Sequence, residues 1–196
     1  MSFAKTVRRV WHFLWEEDSL LSWIVNIILA FILVKFVIYP GLGLVLGTNY
    51  PVVAVVSSSM EHDGSFNSWW SNAYSWYEQN GVQLSNFEGF DFRNGFDKGD
   101  IMLLVGTKPE DLDVGEILVY STNTNVPPII HRVVKKEKVN NKLFFTTKGD
   151  NYRTNRVPDP QPVSEDTVVG RAVFRIPLLG WVKIWFTDFI NAIKGG

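Results

Sequence analysis

Three consecutive hydroxyls, Ser57-Ser58-Ser59, follow the apolar run PVVAVV and precede Met60. A serine attacks an amide at neutral pH only when a neighbouring base takes its proton. His131 is one candidate base, set in the otherwise apolar string Ile129-Ile130-His131-Arg132-Val133-Val134. Acids able to orient an imidazole follow in Lys148-Gly149-Asp150-Asn151 and in Pro158-Asp159-Pro160. Both sit in turn sequence, where Asp also serves local hydrogen bonding. His62, three residues beyond Ser59, is a rival base. Loop serines and strand histidines are commonplace alone. In this order they describe hydrolysis by a Ser–His–acid relay.

Composition removes the main alternatives. The chain has no cysteine, which excludes disulfides, thiolate zinc sites and a cysteine nucleophile. Three histidines are too few for a poly-His metal centre, so no metal or cofactor is expected. A formal net charge of −1 provides no basic field for a nucleic acid.

The elements that must position these residues read as β. Short runs rich in Val, Ile, Leu and Phe occupy 51–56, 101–105, 116–120, 129–134, 143–147 and 167–174. Clusters of Gly, Pro, Asn and Asp separate them, including one over 123–128. Their spacing predicts a mainly β fold, a small antiparallel sheet or barrel over residues 50–176. Residues 61–98 break the pattern with Trp69, Trp70 and Trp76 among many Ser, Asn and Gly. These aromatics either reach a membrane interface or pack as a small cap; the plain packing role is preferred.

Both ends carry membrane signals. Between Ser19 and Met60 the only charge is Lys35. Residues 20–39 form an apolar run of about 20, the length that spans a bilayer core as a helix. Tyr39-Pro40-Gly41 is expected to end it. Lys5, Arg8 and Arg9 precede the run, which predicts a cytoplasmic amino end and an extracytoplasmic domain beyond. The expected location is therefore a cell membrane, crossed once. In residues 1–19, Phe3, Val7, Val10, Trp11 and Leu14 share one helical face, as in an in-plane interfacial helix. Residues 177–196 set Lys183, Thr187, Asp188, Asn191 and Lys194 on one arc, with Trp181, Trp185, Phe186 and Phe189 elsewhere. That helix either lies on the membrane surface or packs on the domain.

The strings PVVAVVSSSM, GDIMLLVG, GEILVY, IIHRVV, TKGDN and VVGRAV resemble, in this order, the boxes of the type I signal peptidases. The match is to their archaeal and endoplasmic-reticulum branch and covers the apolar run and nearly all of 51–176. In bacterial members a lysine is the base; here His131 holds that place, which marks the Ser–His–Asp branch. The resemblance implies a membrane-anchored serine endopeptidase that removes signal peptides from preproteins. It makes Ser59 the nucleophile and matches Ser57 to a hydroxyl that assists the oxyanion hole. Asp150 falls on the family's first aspartate. The second should follow six residues later, where Arg156 stands, and the next acid is Asp159. We favour Asp159 as the triad acid, with Asp150 structural or assisting.

Ser58 replaces a usual Gly, His62 replaces a usual Pro, and 61–98 is an insertion of roughly thirty residues. The resemblance also implies small residues at the first and third positions before the cut. Val53 and Val55, with Ile101 and Leu103, are expected to line shallow pockets for them, and 51–56 to offer the substrate an edge. Expected partners are signal-peptide-bearing preproteins and the lipid bilayer, with accessory subunits left open. The alternative is a catalytically inactive membrane-tethered β-domain that binds peptides or partner proteins.

Overall fold

The computed structural model describes residues 3–122 and 128–194. The turn expected over 123–128 lies, but for Pro128, outside the described residues, as does the Lys194 side chain. The chain divides into two compact units, Met1–Val45 and Leu46–Gly196.

The first unit is helical. Helix α1 (Phe3–Trp15) buries none of its residues. Helix α2 (Leu20–Leu33) starts at Ser19, whose hydroxyl accepts from the Ser22 N–H at 3.2 Å. Ser22 Oγ and Asn26 Nδ2 donate in turn to the carbonyls of Phe13 and Leu14, at 2.6 and 2.8 Å. They satisfy two acceptors that the end of α1 leaves unpaired. The apolar helix does not stop at Tyr39-Pro40-Gly41. It passes through a π-helical segment, Val34–Ile38, into α3 (Tyr39–Leu46). Pro40 thus falls in the first turn of a re-registered helix, where its missing N–H costs least. The whole run Leu20–Leu46 is 27 residues, long and apolar enough to cross a membrane.

The second unit is a curled antiparallel sheet of seven strands in the order β1-β2-β7-β3-β4-β5-β6. The strands are β1 (Val52–Ala54), β2 (Ile101–Val105), β3 (Ile117–Tyr120), β4 (Ile129–Val139), β5 (Lys142–Lys148), β6 (Val163–Ser164) and β7 (Val168–Ile176). All four residues of β3 are buried, because both faces of the sheet are covered there. On one face Met102, Leu104, Ile117, Val119 and Ile130 pack with Val53, Val55 and Met60. On the other, Leu118, Tyr120, Val133 and Phe145 pack with Leu112 and Val163.

The 61–98 insertion is helical. Helix α4 (Phe66–Gln79) is capped by Ser65, and α5 (Leu84–Glu88) follows. Trp69, Trp70, Tyr77 and Phe87 bury themselves together against Val134 of β4, so the aromatics act by packing. At the carboxyl end, α6 (Trp181–Lys194) buries Ile184 but leaves Val182, Trp185, Phe186 and Phe189 exposed.

Candidate active site

Side chains alternate across a strand, and residues paired in register share a face. In β4, His131 pairs with Leu118 and Val133 with Thr147. Arg132 pairs with Ile117 on one side and Lys148 on the other. Adjacent residues His131 and Arg132 therefore project to opposite faces, and each takes a different acid.

On the first face, His131 Nδ1 meets Asp159 Oδ2 at 2.7 Å. The same oxygen accepts from Thr147 Oγ1 at 2.6 Å and from the Tyr120 hydroxyl at 2.9 Å. The Asp159 N–H donates to the Thr147 carbonyl at 2.8 Å, pinning its loop to β5. Burial alone would raise the Asp159 carboxyl; His131, then Thr147 and Tyr120, stabilise the anion and leave it below its ordinary value. Burial, with the Asp159 charge adding to it, pushes the Tyr120 phenol up, so it stays a donor.

On the opposite face, Asp150 is fully buried against Arg132. Arg132 Nη2 lies 2.6 Å and Nε 3.1 Å from Oδ2, with Nε also 3.0 Å from Oδ1. The Tyr77 hydroxyl donates to Oδ1 at 2.9 Å, and His62 Nε2 is 3.3 Å from Oδ2. Burial opposes the Asp150 charge, but the Arg132 charge and the bonds from His62 and Arg132 prevail and hold its carboxyl far below the usual range. Burial beside that carboxylate raises the Tyr77 phenol well above its ordinary value. His62 is stacked on Trp69, ring centroids 3.7 Å apart, inside the cap. It is held in that network, away from the serines' cavity.

The serines meet both systems. Ser57 Oγ and Ser59 Oγ are 3.1 Å apart. Ser57, Ser59 and His131 line one cavity of about 370 Å³ with Ala54, Val56, Pro128, Ile129, Ile130 and Asn155. The residue after Asp150 holds the serine loop: Asn151 N donates to the Ser59 carbonyl and Asn151 Nδ2 to the Ser58 carbonyl, both at 2.9 Å. Ser58 is not among the residues with positive φ, so serine replaces the family's glycine without backbone strain.

The expected pocket lining is corrected. Val53 and Val55 face the core rather than the cavity, and Ile101 and Leu103 do not line it either. Ala54 and Val56, on the other side of the same extended segment, form that wall. Asp150 does not reach His131; its partners are Arg132, Tyr77 and His62. Sequence reasoning also passed over Arg132, Tyr120, Thr147, Asn151 and Asn155. Arg132 was visible as the second polar residue in IIHRVV, and strand parity separates it from His131.

No family model matches the chain. Individual proteins do. The signal peptidase complex catalytic subunit SEC11 of Komagataella phaffii is 29% identical over 163 residues, 78% of this chain and 76% of that protein. Its counterpart in Yarrowia lipolytica is 27% identical over 159 residues, 79% and 73% of the two chains. The SEC11C subunit of Homo sapiens is 30% identical over 160 residues, 78% and 65%.

The chain is a homologue of signal peptidase catalytic subunits.

Those relatives are named as subunits of a complex. Each aligned stretch spans more than three quarters of this chain, more than the inserted cap and sheet-edge segments alone could fill.

Proposed function

We propose that this signal peptidase homologue is a membrane-anchored serine endopeptidase that removes signal peptides through a Ser59–His131–Asp159 relay. The observation that carries the reading is the His131 Nδ1–Asp159 Oδ2 contact of 2.7 Å beside a cavity that Ser59 and His131 share. Asp159 fixes the proton on Nδ1, which leaves Nε2 free to accept. His131 takes the proton as Ser59 Oγ attacks the scissile carbonyl, and gives it to the leaving amine when the tetrahedral intermediate collapses. Water then repeats the cycle on the acyl-enzyme.

The substrate is an extended preprotein segment. Among the described residues β1 pairs only with β2, so its outer edge is open for an added strand. Ala54 and Val56 continue from that edge into the cavity, whose apolar wall suits small side chains near the cut. Leu20–Leu46 is the anchor, with the amino end cytoplasmic and Leu46–Gly196 extracytoplasmic. The uncovered Trp185, Phe186 and Phe189 of α6 and Trp11 and Trp15 of α1 support in-plane seats for both helices. Accessory subunits are consistent with relatives that work in a complex.

The test is cleavage of a preprotein by the full chain in detergent or liposomes. Ser59→Ala and His131→Ala each abolish cleavage while the thermal transition persists. Wild-type rates from either folded variant defeat the relay and favour the inactive peptide-binding module.

A further inference from the structure

We propose that the Asn155 carboxamide is a further catalytic group: Asn155 Nδ2 and the Ser59 N–H form the donor pair that receives the oxyanion. The assignment rests on the peptidase reading above. A tetrahedral intermediate needs preorganised donors beside the nucleophile, aimed where the negative oxygen develops. The polar members of the cavity lining are Ser57, Ser59, His131 and Asn155, and the relay leaves Asn155 unused. The Thr154 hydroxyl donates to Asn155 Oδ1 at 2.9 Å, which identifies the other end of the amide as the free donor. Among the described residues Nδ2 donates to no protein acceptor, and neither does the Ser59 N–H.

The position is built rather than incidental. A Cβ on residue 149 would come within 2.8 Å of Asn155 Nδ2 and 2.6 Å of the Ser59 carbonyl oxygen. The amide and the Ser59 carbonyl therefore both occupy the space beside Gly149 that a side chain there would fill. The same loop locks the frame. Asn155 N donates to the Asn151 carbonyl at 2.8 Å, and Asn151 N donates to the Ser59 carbonyl at 2.9 Å. Asn151 Nδ2 donates to the Ser58 carbonyl at 2.9 Å, and that carbonyl shares its peptide group with the Ser59 N–H, so the direction of this N–H is fixed as well. Ser57 Oγ is already within 3.1 Å of Ser59 Oγ, so the hydroxyl is shared with the nucleophile. A neutral amide also suits an oxygen forming beside the imidazolium, since it adds no competing charge.

In the step itself the Ser59 Oγ–carbon bond forms and the carbonyl π pair moves onto oxygen. The Ser59 proton passes to His131. Collapse returns the pair, breaks the carbon–nitrogen bond and sends the proton to the leaving amine. Asn155 moves no proton; it binds the oxygen while that oxygen is negative.

The experiment compares wild type with Asn155→Ala and Asn155→Asp as full chains in detergent, on one preprotein. Loss of one oxyanion donor lowers kcat roughly 100- to 1000-fold while KM stays within about threefold. The second-order rate of Ser59 labelling by a fluorophosphonate falls in parallel, and Asn155→Asp, which keeps the shape but loses the donor, is at least as slow. Rates are expressed per labelled serine, so the unfolded fraction of a weakened variant drops out of the comparison. A kcat within about threefold of wild type, or a loss confined to KM, overturns the assignment. Wild-type cleavage that survives Ser59→Ala overturns instead the peptidase reading beneath it.

Discussion

Replacing Asp159 by Asn exchanges one oxygen for an amide nitrogen at the centre of three hydrogen bonds, from His131, Thr147 and Tyr120. The two hydroxyls can turn to a remaining acceptor. His131 cannot, because an amide N–H opposite Nδ1 forces the imidazole proton onto Nε2, the nitrogen that must accept from Ser59. In serine hydrolases this wrong tautomer lowers kcat about 10⁴-fold, or about 5 kcal/mol of barrier. The stability cost is smaller, about 1–3 kcal/mol, the difference between charged and neutral acceptors. Asp150→Asn should behave in the opposite way. It leaves the Arg132 guanidinium, with no solvent exposure, without its counter-charge. Breaking one partner of a buried pair costs about 3–5 kcal/mol. Its kcat per active serine should stay within about tenfold of wild type, because Asp150 touches neither His131 nor the cavity. Preprotein cleavage, fluorophosphonate titration of active serines and urea unfolding of the full chain measure all three quantities. If Asp150→Asn loses about 10⁴ in kcat per active serine and Asp159→Asn does not, the assignment of acids by strand face is wrong.

Lys148 is buried beside the Trp76 and Tyr77 rings, 5.1 Å from each centroid, and its ammonium donates to the Gly149 carbonyl. Desolvation, against the pull of Asp150 and Asp159, lowers its pKa to about 8. The unfolded chain, with Lys near about 10.4, therefore holds more protons between those values, and stability rises with pH there. Wild type should gain on the order of 3 kcal/mol relative to Lys148→Met between pH 7 and pH 11, read from urea midpoints; a constant difference would refute it. Tyr77→Phe deletes the hydroxyl that donates to Asp150 at 2.9 Å and should cost about 1.5–3 kcal/mol. Tyr74→Phe, on an exposed position of the same helix, should stay within about 0.5 kcal/mol, and equal losses from both would deny Tyr77 its role.

The strands were legible because each is a short apolar run between turn residues: four of the six expected runs match strands within two residues at each end, and 129–134 starts where β4 does but stops five residues short of its end. The sixth, 51–56, narrows to Val52–Ala54. β6 has two residues, too short for any pattern. The cap's helices were not legible in advance because α4 reads FNSWWSNAYSWYEQ, rich in residues of poor helix propensity. Its helix forms because Trp69, Trp70 and Tyr77 find a common burial site, with Ser65 as the one local start signal. Membrane-helix length was underestimated at Pro40, since nothing in the residues announces that a π segment will absorb the proline.

The doubt over the two acids had its answer in the string IIHRVV. Two adjacent polar residues on a strand cannot share a face, so one acid cannot serve both. What sequence alone lacked was the pairing that carries each acid to its face. Asp159 arrives through the Thr147 carbonyl of β5, and Asp150 arrives beneath the cap, where the Trp69 indole binds its carbonyl at 2.9 Å. The division has a physical logic. A charge pair with no solvent exposure is held by many hydrogen bonds and suits a fixed frame, here the one from which Asn151 grips the Ser58 and Ser59 carbonyls. In the proposed relay Asp159 steadies His131 through gain and loss of a proton, and the two hydroxyls it accepts from can turn as the charge changes. The insertion closes over the Arg132–Asp150 pair, through Tyr77 and His62, and leaves the His131–Asp159 pair on the other face, beside the cavity of the proposed relay.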